Sequence, residues 1–168
     1  MTPYTRRLLT IVGAFVVAAL FQMTAASNLL VFGAQVDLPL CAAIVGSMLC
    51  DVNTASAVGF ASGVLTASLA APPVSGFGSI VVSRTIVCFL IGWLEARIVR
   101  DSALLAPLFG VLGTVSCAVM FFAFDPQKDT SHWTIVLVGS SLYNGVVAIP
   151  LFYIMRRIAG RDESTALA

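Results

Sequence analysis

Phe77-Gly78-Ser79-Ile80-Val81-Val82-Ser83-Arg84-Thr85-Ile86-Val87-Cys88-Phe89-Leu90-Ile91-Gly92-Trp93-Leu94-Glu95-Ala96-Arg97-Ile98 decides the fold class. A helix needs about 20 apolar residues to cross a bilayer, and this run has that length. One arginine interrupts it, and the cluster Glu95, Arg97, Arg100, Asp101 closes it.

The rest of the chain reads the same way. Of 168 residues, 59% are hydrophobic and 10% charged, and the mean hydropathy is +1.00. A soluble domain of this length would need more charge to cover its surface. There is room for about five to seven crossings and little else. The expected fold class is therefore an all-α membrane protein, one multi-pass domain over 1–168 built as a bundle of six transmembrane helices. Arg6-Arg7 before an apolar stretch ending in Ala25-Ala26-Ser27 also has the form of a secretory signal. The further membrane segments favour a retained first helix.

The expected helices cover about 8–26, 29–50, 55–71, 77–98, 104–124 and 133–156, with a polar tail at 157–168 expected to be disordered. Breaks fall at Ser27-Asn28, at Asp51-Val52-Asn53-Thr54 (a turn and a possible cap), at Pro72-Pro73 with Gly76, and at 125–132. The second segment is the least regular. It contains Gln35, Asp37 and Pro39, and its strongly apolar part, Leu38 to Cys50, is too short to cross upright. Either its helix begins before Pro39 or the segment is irregular, which lipid tolerates only where protein covers the backbone.

Orientation follows the arginines: Arg6/Arg7, Arg97/Arg100 and Arg156/Arg157/Arg161. Basic residues gather on the cytoplasmic side. Four spans before the second cluster and two after it put all three clusters, and both termini, in the cytoplasm. Merging the second and third helices would break that parity. Residues 27–37, 72–76 and 125–133 then face outward. The expected location is the bacterial cytoplasmic (inner) membrane.

Net charge is +1, so no pull toward nucleic acid is legible. Cys41, Cys50, Cys88 and Cys117 lie in apolar runs without metal-ligand spacing, and His132 is the one histidine. They read as small packing residues. No Ser/His/Asp set, metal cluster or phosphate loop is present in the sequence, so neither an enzyme nor a cofactor is expected.

Ala55, Gly59, Gly63, Ala67 and Ala71 recur every fourth residue, and Ala106, Gly110, Thr114 and Ala118 form a weaker version. Such stripes let helices approach closely, either within the bundle or against a partner. Asp37 and Asp51 sit near helix ends, and Glu95 reads as interfacial. Arg84 falls roughly 10 Å along the axis from the outer end of its helix. It either snorkels outward or faces the interior, where Asp37 is the nearest plausible carboxylate by depth.

The run Gly59-Phe60-Ala61-Ser62-Gly63-Val64-Leu65, the Pro/Gly turn, then Phe77 through Ile91-Gly92-Trp93-Leu94 and a basic turn resembles the central part of the MreD family of rod shape-determining proteins. Asn144, Ala148, Pro150-Leu151, Tyr153 and Arg156-Arg157 resemble that family's closing helix. Candidate structural or partner positions are therefore Gly59, Gly63, Arg84, Asn144 and Pro150. The resemblance implies a non-catalytic scaffold that acts with MreC, with MreB, and with the glycosyltransferase and penicillin-binding protein of lateral wall synthesis. Ala67 stands where the family commonly has an acidic residue, so no role of that carboxylate carries over. The expected fold is also similar to the substrate-binding subunits of energy-coupling-factor vitamin transporters, the alternative reading. Such a subunit should converge aromatic and polar groups on an outward pocket.

Overall fold

A computed structural model describes residues 3–24, 34–69, 76–97, 103–124 and 130–159. The breaks at Ser27-Asn28 and Pro72-Pro73, the Arg100-Asp101 turn, residues 125–129 and the tail from 160 lie outside the described residues.

Among the described residues six helices follow one another: α1 (Pro3–Thr24), α2 (Leu38–Met48), α3 (Val52–Leu69), α4 (Phe77–Arg97), α5 (Leu105–Phe124) and α6 (Thr130–Ala159). Five of them are long and apolar enough to cross a membrane. The exception corrects the sequence reading. The second helix was expected over 29–50, but α2 has 11 residues, about 16 Å of rise against a hydrocarbon core of about 30 Å. Its start is set locally. Pro39 occupies the first turn, where its missing N–H costs nothing, and the Asp37 carboxylate caps the Leu40 N–H at 2.9 Å.

Residues 34–37 were placed in an outward loop, yet Ala34 is 1% and Val36 4% exposed. A Cβ on Gly139 of α6 would stand 2.7 Å from the Ala34 Cβ, so α6 lies directly against this segment. Protein covers the irregular backbone, as a lipid environment demands.

Other boundaries shift by five residues or fewer. α1 starts at Pro3 rather than 8, where Pro again suits the first turn. α3 starts at Val52 because the Asp51 carboxylate accepts from the Thr54 N–H at 3.1 Å and from its hydroxyl at 2.6 Å. α6 runs from Thr130 through Arg157 to Ala159, absorbing residues assigned to the loop and tail, and it continues through Pro150. Gly76, at φ 104°, takes the left-handed conformation just before α4.

α2 is the axis of the bundle. Residues Pro39 to Met48 are all buried, and α2 packs against each of the other five helices. The most extensive pairings are α3 with α4 and α5 with α6. Both run along small-residue stripes. A Cβ on Gly63 would stand 2.6 Å from Val81 Cα, and one on Gly59 2.5 Å from the Arg84 carbonyl oxygen. In the α5/α6 pair, a Cβ on Gly110 would stand 2.9 Å from Gly145 Cα. Both stripes therefore serve intramolecular packing, the first of the two readings open to them.

The outer surface is apolar: Val17, Ile135 and Val146 are each 65% exposed. Large apolar side chains turned outward on long helices suit lipid, since water would penalise them. The N–Hε of Arg6 donates to the Ile158 carbonyl at 2.7 Å, so the start of α1 and the end of α6 share one end of the bundle.

Candidate functional site

Several of the interior's polar groups, Ser62, Arg84, Thr114 and Asn144 among them, gather around the N-terminus of α2. Its backbone donors are all met. The Asp37 N–H donates to Asn144 Oδ1 at 2.9 Å and the Leu38 N–H to Gln22 Oε1 at 3.0 Å. Pro39 has no N–H, the Leu40 N–H goes to the Asp37 carboxylate, and the Cys41 N–H goes to the Asp37 carbonyl at 2.9 Å. A helix end buried in a membrane protein leaves no donor to water, so α1 and α6 each supply a side chain.

Arg84 enters the same cluster from α4 and is 6% exposed. Its Nη1 donates to Ser62 Oγ and Thr66 Oγ1 of α3, both at 2.9 Å, and its Nη2 pairs with the second carboxylate oxygen of Asp37. Ser62 and Thr66 are four residues apart, so one helix face presents both hydroxyls. The guanidinium faces inward; it does not snorkel. The pair is unevenly wet: the Arg84 side chain is 7% exposed and that of Asp37 34%. A buried charge survives only when paired and hydrogen-bonded, and each half of this pair has both.

Asn144, fully buried at the middle of α6, completes the network. Its Nδ2 donates to Thr114 Oγ1 of α5 at 2.9 Å, and its carbonyl accepts from Cys41 Sγ at 3.7 Å. Six side chains from five helices thus converge on one short helix end.

Above this floor lies a cavity of about 630 Å³. It occupies the part of the bundle that α2, starting late, leaves unfilled. Thr66, Arg84 and Asp37 border it below, with Phe121, Trp133 and Ser140 on its walls. Trp133 packs against Phe122, with ring centroids 4.8 Å apart and the planes tilted by 37°. The cavity sits at the ends of α1, α3 and α5 and the starts of α4 and α6, away from Arg6, Arg97 and Arg156.

Arg84 and Asn144 therefore come together at Asp37. Gly59 and Gly63 lie on the seam that carries Arg84, while Pro150 is exposed on α6, apart from the cluster. Glu95, which the sequence reads as interfacial, lies near the end of α4 and is turned into the bundle, at 6% exposed. It lies one turn beyond Gly92, on the α4 face that packs against Ser47, Val52 and Ala55. The sequence assigns no polar role to Gln22, Ser62, Thr66 or Thr114. Their one signal was a hydrogen-bonding side chain inside an apolar run. The four cysteines are free thiols, three of them buried.

The fold and site define an all-helical bundle whose five long apolar helices surround a short, internally capped one. Compared with protein-family models, curated proteins and solved structures, the chain finds no match in any of the three.

Proposed function

We propose that this chain is a scaffold of the bacterial cell-wall elongation complex, resident in the cytoplasmic membrane as a six-helix domain with both termini inside. It binds MreC and, with it, MreB and the wall-synthesis glycosyltransferase and penicillin-binding protein. It has no turnover of its own. One observation supports the reading. Three of the residues that carry the resemblance to MreD help to build the fold: Gly59 and Gly63 at the α3–α4 crossing, and Asn144 at the capped end of α2. A likeness that includes such positions is more specific than a likeness of apolar composition alone. Helix association in lipid rests on close packing and a few polar contacts, so the partner surface need not be charged.

Depletion in a rod-shaped host should round the cells, and purification in mild detergent should recover MreC. Rod-shaped depleted cells together with a pull-down lacking MreC would reject the proposal.

The cavity favours a second reading, the substrate-binding subunit of a vitamin transporter, because it gathers aromatic and polar groups at the end of the bundle away from Arg6, Arg97 and Arg156. On that reading the pull-down recovers an ATPase pair, and depletion creates a vitamin requirement.

A further inference from the structure

We infer that the cavity above α2 is a binding site for a small, uncharged, flat molecule that carries an amide-like head group. The inference goes beyond the scaffold reading and needs none of its partners. It rests on the same cavity as the transporter reading, but it is tested by binding and not by association with an ATPase.

The size is right. At about 630 Å³ the cavity lies within the range of roughly 300–1,000 Å³ typical of small-molecule sites. It also has a physical origin. A second helix of spanning length would have filled this space, whereas α2 begins only at Leu38.

The charge of the floor selects the ligand. Arg84 and Asp37 border the cavity as a closed pair, so the floor is neutral. An anion would need a free positive group. The guanidinium is already shared among Asp37, Ser62 and Thr66, and the donors at the N-terminus of α2 are all taken. A cation would meet a carboxylate already engaged by Arg84 and by the Leu40 N–H. Neither ion would therefore find a free counter-charge on the floor, and whatever hydration it gave up on entry would go uncompensated. A neutral group that both donates and accepts can use the exposed side of Asp37 and the Ser140 hydroxyl, which lines the cavity. Phe121 and Trp133 on the walls suit a flat body, which stacks on aromatic faces.

The test is a charge series on a single ring. Indole-3-acetamide, indole-3-acetate and tryptamine are titrated calorimetrically into the full chain in lipid nanodiscs, with empty nanodiscs as the partition control. The expected result is saturable one-to-one binding of the amide, at least tenfold tighter than either ion. Ser140→Trp and Leu137→Trp fill the cavity from two positions on α6 without touching the ion pair. At least one of them should keep the wild-type melting temperature and lose saturable binding. Absent saturation by the amide, equal or tighter binding of an ion, or unchanged binding in a folded filled variant overturns the inference. Failure of the titration leaves the transporter reading to its own test, because a cognate ligand of another shape would still be accompanied by the ATPase pair.

Discussion

Asn144 Oδ1 accepts the Asp37 backbone N–H at 2.9 Å, joining the middle of α6 to the residue that caps α2. The two lie 107 positions apart in the chain. The bond lets a helix start inside the membrane region instead of at its surface. Without it a backbone donor is stranded in an apolar interior.

Asn144→Ala should therefore destabilise the bundle by about 1–3 kcal/mol, the cost of an unsatisfied buried polar group. Thermal unfolding in detergent, read by circular dichroism, measures it. Asn144→Ala melting with the wild-type protein would mean that water serves the Asp37 N–H equally well.

Arg84→Lys should melt below wild type, because an ammonium cannot reach Ser62, Thr66 and Asp37 at once with the geometry of the planar fork. Arg84→Met leaves the Asp37 carboxylate without its counter-charge and should cost about 1–3 kcal/mol, less than for a fully buried pair because the Asp37 side chain is 34% exposed. Adding Asp37→Asn should recover part of that loss. A double variant no more stable than Arg84→Met would show that the two residues act independently.

Gly63→Leu places a branched side chain where even a Cβ would stand 2.6 Å from Val81 Cα. It should force α3 from α4 and give aggregated or poorly folded protein. Ala61→Leu, on an exposed face of the same helix, should be neutral. Size-exclusion chromatography compares them. Two monodisperse variants would remove the seam from the account.

Topology is tested by single cysteines in a background without the four native ones. Ser131→Cys, at the exposed start of α6, should react with a membrane-impermeant maleimide from outside. Ala96→Cys, in the exposed last turn of α4, should react only after the membrane is opened. Labelling at 96 in intact cells would invert or abolish the six-helix arrangement.

The Asp51 carboxyl is held below its ordinary value of 3.8, first by the Thr54 hydroxyl and then by the Thr54 N–H. A depressed folded pKa means that this cap stabilises above the unfolded value and is lost as pH falls through the folded one. Thr54→Val should raise the Asp51 pKa in an NMR titration. An unchanged titration would show that the hydroxyl bond does not persist.

The membrane class and the presence of six helices were legible because they depend on local pattern, whereas for Arg84 the sequence left snorkelling and an inward pairing with Asp37 both open and the fold decided for the pairing. Apolar runs of spanning length have few other solutions, and a charge two turns inside one needs a partner. The Asp51 cap is local too, since it reaches only three residues along the chain. The small-residue stripes of α3 and α5 were visible, but which surface they met was not, because a stripe packs equally well within a chain or between chains.

The length of α2 was open in the sequence, and tertiary contacts decided it. Pro39 and Asp37 permit a start at Leu38, but a late start is stable only where Gln22, Asn144 and Arg84 arrive from three other helices to satisfy what it exposes. The cavity follows from the same contacts. Its walls come from residues far apart in sequence, each unremarked in its own helix, and its volume is the part of a crossing that α2 does not make. Periodicity records which face of a helix is apolar; it does not record which distant side chain will meet an unpaired backbone donor.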